Sequence, residues 1–191
     1  MPVLQPVDST SFRAQAWANG GGTTTELAAG PDRDHWDWRI SLAQVDGDGP
    51  FSSLPGVRRQ IAPLDGRLQL QFADAGTRIV HRLEVLTFDG GQPVDCHLLD
   101  GPGRDLNLML RNGAEGTLVL RPLVGSMVLL PQAGWRWFAY MIGGHCQLDA
   151  GAQLLSLATG EAAWVEPEAG RRVLVEGGGE LALVKLAATV P

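Results

Sequence analysis

Short segments in which polar and apolar residues alternate, separated by glycine and proline, run through most of this chain. The sequence holds 25 glycines and 12 prolines in 191 residues. In WDWRISLAQV, residues 36–45, apolar side chains occupy the even positions from Trp36 to Leu42, and a similar alternation returns in DLNLML (105–110), GTLVL (116–120) and ELALVKL (180–186). A period of two is that of a β-strand, whereas a helix repeats about every 3.6 residues. The pattern predicts an all-β fold with many short strands and little helix.

Two stretches of the chain resemble each other, which favours two similar barrels over one large sheet. RQIAPLDGRLQLQFADAG, from Arg59, can be aligned with RWFAYMIGGHCQLDAG, from Arg136. The run 154–186 adds strands separated by TGE and EPEAG turns, the spacing of a cupin-like jelly roll. We expect one barrel in residues 1–113 and a second in residues 114–191, with strand exchange between the halves left open.

The charge balance argues against nucleic acid as a partner. The formal net charge is −6, and of the 15 basic residues only Lys185 is a lysine. Nucleic-acid binding draws on clustered cations, whereas arginine suits planar pairing with carboxylates. The N-terminus lacks a signal-peptide pattern, no apolar run reaches the roughly 18 residues of a membrane span, and Cys96 and Cys146 are far apart. We therefore expect a cytoplasmic protein with no membrane partner.

The glycine-rich stretch WANGGGTTTELAAG, residues 17–30, lacks the features of a nucleotide-binding loop. No lysine follows Gly22, and the threonines continue a β-branched run instead of opening a helix. One interpretation is a plain turn whose glycines precede a strand. The other is a small polar concavity for a carboxylate, formed by the glycine amides with the hydroxyl of Thr23 and the amide of Asn19. The residues leave both interpretations open.

Arg39 shares one face of its predicted strand with Asp37 and Ser41, opposite the tryptophans. If this face points into a barrel, the guanidinium needs an anion, because a buried unpaired charge is costly. Glu26 or a bound ligand would supply that anion. The alternative is a solvent-facing Arg39 with the tryptophans in the core.

Two further pairs are ambiguous in the same way. Arg58 and Arg59 close the stretch GPFSSLPGVRR, and as strand neighbours they point apart, so at most one of them faces a given pocket. Asp105 and Asn107 share one face of DLNLML, which is either the polar outer face of a strand or part of a cavity wall.

The four histidines do not form the usual cupin metal site. His35, His81, His97 and His145 include no His-x-His pair, and their close acidic neighbours supply two ligands where a catalytic site needs three. There is no Gly-x-Ser-x-Gly elbow, and Cys96 and His97, as neighbours on a strand, diverge. We predict no metal and no cofactor, although a metal held by distant histidines is left open.

Three motifs in the first 111 residues or so resemble those of the HutD/Ves family: a Trp-x-Asn-Gly-Gly-x-Thr stretch with a following Glu, then Trp-x-Trp-Arg-x-Ser-x-Ala, then Gly-Pro-Phe-Ser with Pro-Gly and an arginine. The family's Asp-x-Asn-x-Met is also present. The matching residues are Trp17, Asn19, Gly20, Gly21, Thr23, Glu26, Trp36, Trp38, Arg39, Ser41, Ala43, Gly49, Pro50, Phe51, Ser52, Pro55, Gly56, Arg59, Asp105, Asn107 and Met109.

The resemblance implies an RmlC-like bicupin fold with two jelly-roll barrels. It also implies, for some members, a link to histidine utilisation, in which the protein is thought to hold a small pathway metabolite and limit pathway expression. Other members are known mainly as stress- or cold-induced proteins. The resemblance assigns no reaction.

We therefore predict a bicupin that binds a small anionic metabolite, with urocanate and formylglutamate as candidates, and modulates histidine utilisation. A metal-independent lyase, isomerase or hydrolase with Glu26 or Asp105 as general base is the first alternative, and a ligand-free structural or stress protein is the second. The lack of a metal triad and of a nucleophile–base pair favours binding over catalysis. A small carboxylate is the expected partner, and a homodimer is left open. The predicted ligand-binding residues are Asn19, Gly20, Gly21, Gly22, Thr23, Glu26, Arg39, Ser41, Arg59, Asp105 and Asn107.

Overall fold

Strands account for almost all regular structure in the residues that the structure describes. The computed structural model covers residues 3–130, 132–166 and 171–187, and within these a 3-10 turn at Ser9–Ser11 is the only helical element. The predicted all-β class is confirmed. The strands are β1 (Val3–Val7), β2 (Arg13–Ala16), β3 (Gly22–Gly30), β4 (Trp38–Val45), β5 (Gly49–Pro50), β6 (Arg58–Pro63), β7 (Leu68–Phe72), β8 (Gly76–Val80), β9 (Leu86–Asp89), β10 (Val94–Leu98), β11 (Gly103–Leu110), β12 (Gly116–Leu129), β13 (Trp135–Asp149), β14 (Leu154–Ala158), β15 (Ala162–Glu166) and β16 (Val173–Ala187).

The chain divides into two compact units. The first unit is Phe12–Ala114, and the second consists of the described residues of Met1–Ser11 and Glu115–Pro191. The division lies beside the predicted boundary between residues 113 and 114. The strand β1, which precedes Phe12, pairs with β15 and belongs to the second unit, a strand exchange of the kind that the prediction left open.

The first unit contains two antiparallel sheets with a core between them. The larger sheet has the order β2–β3–β4–β11–β6–β9, and the smaller has the order β5–β10–β7–β8. Ile61 of the larger sheet packs with Leu70, Phe72, Val94 and Cys96 of the smaller one. The sequence LQLQF of β7 shows how a strand contributes to this core. Its apolar side chains are buried, whereas the two glutamines between them lie on the other face.

The second unit is one antiparallel sheet with three long strands. Its order is β1–β15–β13–β16–β12, and β14 also pairs with β13. The long strands β13 and β16 change register between Met141 and Gly143. At this point Gly144 has a positive φ of 88°, and a Cβ there would overlap the carbonyl oxygen of Gly178. Glycine therefore permits the irregularity that the paired strands share.

The internal sequence alignment pairs side chains that lie on different faces. Arg59 is on β6 and shares a face with Ile61, which packs in the core of the first unit. Arg136 is on β13 beside Trp137, which packs against the core of the second unit, so Arg136 points to the opposite face. A shift of one residue exchanges the two faces of a strand. The alignment therefore does not superimpose equivalent side chains and does not demonstrate a duplication.

No helix in the described parts of the chain is long and apolar enough to cross a membrane.

Candidate functional site

A cavity of about 500 Å³ lies within the first unit, on the face of the larger sheet that carries Ile61. Strands β4, β11 and β6 supply its floor. The segment Gln15–Asn19 forms one wall, and Pro50, Phe51, Ser52 and Leu54 contribute to another.

The strand register explains which side chains meet in the cavity. Asn107 of β11 lies opposite Ser41 of β4, and Met109, two residues further, lies between Arg39 of β4 and Arg59 of β6. Paired residues on neighbouring strands share a face, so these positions converge. The predicted ligand-binding residues that line the cavity are Asn19, Arg39, Ser41, Arg59, Asp105 and Asn107.

The structure places the other predicted ligand-binding residues outside the cavity lining. These are Gly20, Gly21, Gly22, Thr23 and Glu26. The sequence suggested a polar concavity formed by the glycine amides and the hydroxyl of Thr23. That prediction is wrong for both of these groups, because neither lines the cavity.

Two of the three glycine amides form hydrogen bonds inside the turn. The amide of Gly20 donates to the carbonyl oxygen of Trp17 at 3.0 Å, and that of Gly21 donates to Oδ1 of Asn19 at 3.0 Å. Thr23 pairs with Gln44, on the face of the sheet opposite to the neighbouring pair Thr24 and Ala43, which line the cavity.

Thr24, rather than Thr23, is the threonine that lines the cavity. Its Oγ1 accepts a hydrogen bond of 2.7 Å from Nε1 of Trp17, and the backbone N of Trp17 donates to the carbonyl oxygen of Gly22 at 2.9 Å. These two bonds hold the wall Gln15–Asn19 against β3. The sequence contained both residues, but alternation alone did not say which of three adjacent threonines faces inward.

Arg59 is the most deeply buried cation of the cavity, with 6% of its surface exposed. Its Nη2 donates to Oδ1 of Asn107 at 2.8 Å, and its guanidinium lies 5.1 Å from the ring centre of Phe51 and 5.2 Å from that of Phe88. Its Nε is buried without a hydrogen-bond partner, and no carboxylate of the described residues forms an ion pair with it. Burial lowers the pKa of Arg59, an effect that the charge of Asp105 opposes.

Asp105 lies at the buried end of the same polar row. Only 1% of it is exposed, and its Oδ1 accepts a hydrogen bond from Nδ2 of Asn107. Burial raises the pKa of Asp105 to about 7, although Arg59 and Asn107 act in the opposite direction. Asn107 thus bridges a buried guanidinium and a buried carboxyl group that exchanges its proton near neutral pH.

Arg39 already has a protein carboxylate beside it. Its Nε lies 3.0 Å from Oε2 of Glu26, and Nη1 of Arg33 lies 3.1 Å from Oε1 of the same carboxylate. Glu26 therefore supplies the anion that the sequence required for an inward-facing Arg39. Arg33 was missed because it lies in the irregular loop between β3 and β4, where no periodicity assigns a side chain to a face.

No group of three His, Cys, Asp or Glu side chains suited to a metal ion occurs in residues 3–130, 132–166 and 171–187. The cavity instead offers cations, amide groups and one neutral-titrating carboxyl. Such groups can bind and orient an anion or transfer a proton.

The HutD family model matches residues 9–183. This chain belongs to the HutD family. Protein Ves from Citrobacter koseri is 39% identical over 145 residues, which are 70% of this chain and 75% of that protein. A Pseudomonas putida protein described as an uncharacterized 21.2 kDa protein in the hutC 3' region is 33% identical over 112 residues, 57% of this chain and 59% of its own length. The resemblance found in the sequence motifs is confirmed.

Solved structures show the same fold. HutD from Pseudomonas fluorescens SBW25, in a formate condition, has a TM-score of 0.79 at 23% identity, covering 98% of both chains. The oxalate decarboxylase of Lactobacillus farciminis, in its formate complex, has a TM-score of 0.63 at 9% identity, covering 97% of this chain and 86% of that one. At these identities the likeness supports a shared cupin-like all-β fold and carries no information about function.

Proposed function

We propose that the cavity of the first unit binds a small carboxylate metabolite, and that through this ligand the protein modulates histidine utilisation. The observation that carries the proposal is the buried guanidinium of Arg59. It lines the cavity, bonds to an amide oxygen and has no carboxylate partner among the described residues. A buried cation without a counterion is costly, so an anionic ligand would relieve that cost.

The charges around the cavity support an anion as the ligand. Arg33 and Arg39 share the single carboxylate of Glu26, and Asp105 is the acidic group whose charge acts most strongly on Arg59. With Asp105 ionised these groups carry a net charge of +1, and with Asp105 protonated they carry +2. A planar carboxylate can accept two parallel N–H groups from one guanidinium.

The candidate ligands follow from the family. Urocanate and N-formyl-L-glutamate are carboxylates of histidine breakdown, and the Pseudomonas putida relative is described by its position beside hutC. The ligand would lie over Met109, between the guanidinium groups of Arg39 and Arg59, with Asn19 and Ser41 orienting it from the cavity edge. A net charge of −6 argues against direct DNA contact, so the regulatory effect would pass through the ligand or a protein partner.

Thermal unfolding with a panel of acids tests the proposal. Because a ligand that binds only the folded state stabilises it by mass action, urocanate or N-formyl-L-glutamate at about 100 times Kd should add about 2.7 kcal/mol and raise Tm by several degrees. Arg59→Met should abolish the shift, whereas Arg67→Met, which breaks an exposed ion pair with Asp100, should keep it. No shift with either acid at millimolar concentration would refute the proposed ligand class.

Asp105 favours one second candidate function, metal-independent catalysis on the same ligand. A buried carboxyl group whose pKa is about 7, facing a cavity beside a guanidinium, suits a general acid or base. Glu26 is less suited to that role, since it lies outside the cavity lining and is paired with two arginines. Incubation of each acid with the protein, followed by mass spectrometry and NMR, decides between the two: turnover that Asp105→Asn abolishes would establish an enzyme.

A further inference from the structure

We propose that the cavity takes up a proton together with its anionic ligand, and that Asp105 is the group that receives it. This inference rests on the proposed function, because it concerns the same cavity and the same carboxylate ligand. It makes the protein a sensor of ligand and pH together, with occupancy falling as pH rises.

The geometry places an incoming anion close to a buried carboxyl group. A ligand on Arg59 lies close to Asp105, because both residues line the cavity and Asn107 links them: Arg59 donates to Oδ1 of Asn107, and Nδ2 of Asn107 donates to Oδ1 of Asp105. Asp105 and Asn107 are both at least 97% buried, so little water lies between the carboxyl group of Asp105 and a carboxylate bound to Arg59. Two carboxylates that share such a site do not both stay ionised.

The groups that face Asp105 leave it as the proton acceptor. Its strand partners Ala43 and Pro63 are uncharged, and Arg59 keeps its proton in the neutral range. From the smaller sheet, the buried Cys96 thiol has a pKa of about 12 and stays neutral. On the far side of the cavity, Glu26 lies between Arg33 and Arg39.

The direction of the pH effect follows from these contacts. Before the ligand binds, Asp105 has a pKa of about 7 and is about half protonated at neutral pH. The charge of the ligand opposes ionisation and raises that pKa further, so binding above pH 7 must draw a proton from the buffer. Binding is then strongest below pH 7, and Kd should rise about tenfold between pH 6 and pH 8.

Isothermal calorimetry in buffers of different ionisation enthalpy measures this uptake directly. The probe is N-formyl-L-glutamate, whose carboxylates are both ionised from pH 6 to pH 8. At pH 7.5 the wild-type protein should take up roughly 0.5–0.8 proton per ligand bound. Asp105→Asn should bind with no uptake and with a Kd that is independent of pH. His97→Gln is the matched control, because His97 is an exposed titratable side chain, paired with Asp48, in the same unit.

The calorimetry has one result that supports the inference and three that overturn it. Uptake in the wild-type and His97→Gln proteins that is lost in Asp105→Asn supports the inference. Binding by the wild-type protein without proton uptake overturns it and leaves the proposed function intact, and this result does not depend on how the variant folds. Uptake that persists in Asp105→Asn but is lost in His97→Gln assigns the proton to His97 and also overturns it. If neither N-formyl-L-glutamate nor urocanate binds at millimolar concentration, both proposals are overturned.

Discussion

The buried charge of Arg59 lowers the stability of the free protein. Replacing Arg59 therefore tests whether the residue serves ligand binding instead of folding. Its guanidinium lies between two aromatic rings with one hydrogen bond and no ion pair among the described residues. A buried charge without an ion-pair partner costs several kcal/mol in lost hydration, a cost that an apolar side chain of similar volume does not have. We expect Arg59→Met to leave Tm of the free protein unchanged or raised while ligand binding is lost. A large drop in Tm without ligand, measured by calorimetry, would instead make Arg59 a structural residue.

Because of Asp105, the free energy of unfolding should fall measurably as pH rises from acid to neutral. Its pKa is about 7 in the folded protein, above the usual value of 3.8. A carboxyl group with a raised folded pKa favours the folded state at low pH, and this contribution disappears as pH rises from about 4 to 7. The loss amounts to on the order of 4 kcal/mol.

Denaturant unfolding of the wild-type and Asp105→Asn proteins at pH 4.5 and pH 8 checks this linkage. The free energy of unfolding of Asp105→Asn, relative to wild type, should rise by a few kcal/mol between the two pH values, because asparagine has no proton to lose. A constant difference between the two proteins would mean that Asp105 titrates as it does in the unfolded chain.

At the scale of elements, one glycine of the run Gly20–Gly22, the first residue of β3, is required by close packing. A Cβ at Gly22 would overlap the carbonyl oxygen of Gln44 and lie 3.2 Å from the ring of Trp17. A Cβ at the adjacent Gly21 would meet only the side chain of Asn19, at 3.3 Å, which can move. The lack of a side chain at Gly22 therefore allows both β4 and Trp17, the tryptophan that holds the cavity wall, to pack closely against it.

We expect Gly22→Ala to cost about 2–4 kcal/mol and to weaken ligand binding, because β3 and β4 must separate to admit the methyl group. Gly21→Ala, its matched control, should change stability by less than about 0.5 kcal/mol. Denaturant unfolding and ligand titration of the pair check the prediction. Equal losses in both variants would show that the whole turn, rather than the single close approach, sets the geometry.

The sequence predicted strands well and their faces poorly. Period-two alternation identified the strands that became β4 and β11, because a half-buried sheet imposes that pattern on its residues. It did not say that Arg39 faces inward, since both faces of β4 are largely buried. Trp36, counted with that strand, lies outside it and contacts Arg111 instead. Arg33 could not be predicted, because its contact with Glu26 depends on a loop conformation.

At the scale of the whole molecule, each unit has a core of its own and one buried cysteine. Cys96 packs in the core of the first unit, and Cys146 packs in that of the second. Burial raises the pKa of Cys96 to about 12 and that of Cys146 to about 11. Since the thiolate is the reactive form, both cysteines should resist labelling until their own unit opens.

The cavity is built from residues of the first unit alone, so its ligand should protect the two cysteines unequally. We expect N-formyl-L-glutamate at about 100 times Kd to slow labelling of Cys96 by up to about 100-fold, because binding lowers the population of the open first unit by that factor. Labelling of Cys146 should hardly change. Pulse labelling with a thiol reagent in mild denaturant, read by peptide mass spectrometry, measures both rates in one sample. Arg59→Met should lose the protection of Cys96, whereas equal protection of both cysteines in the wild-type protein would show that the units open together.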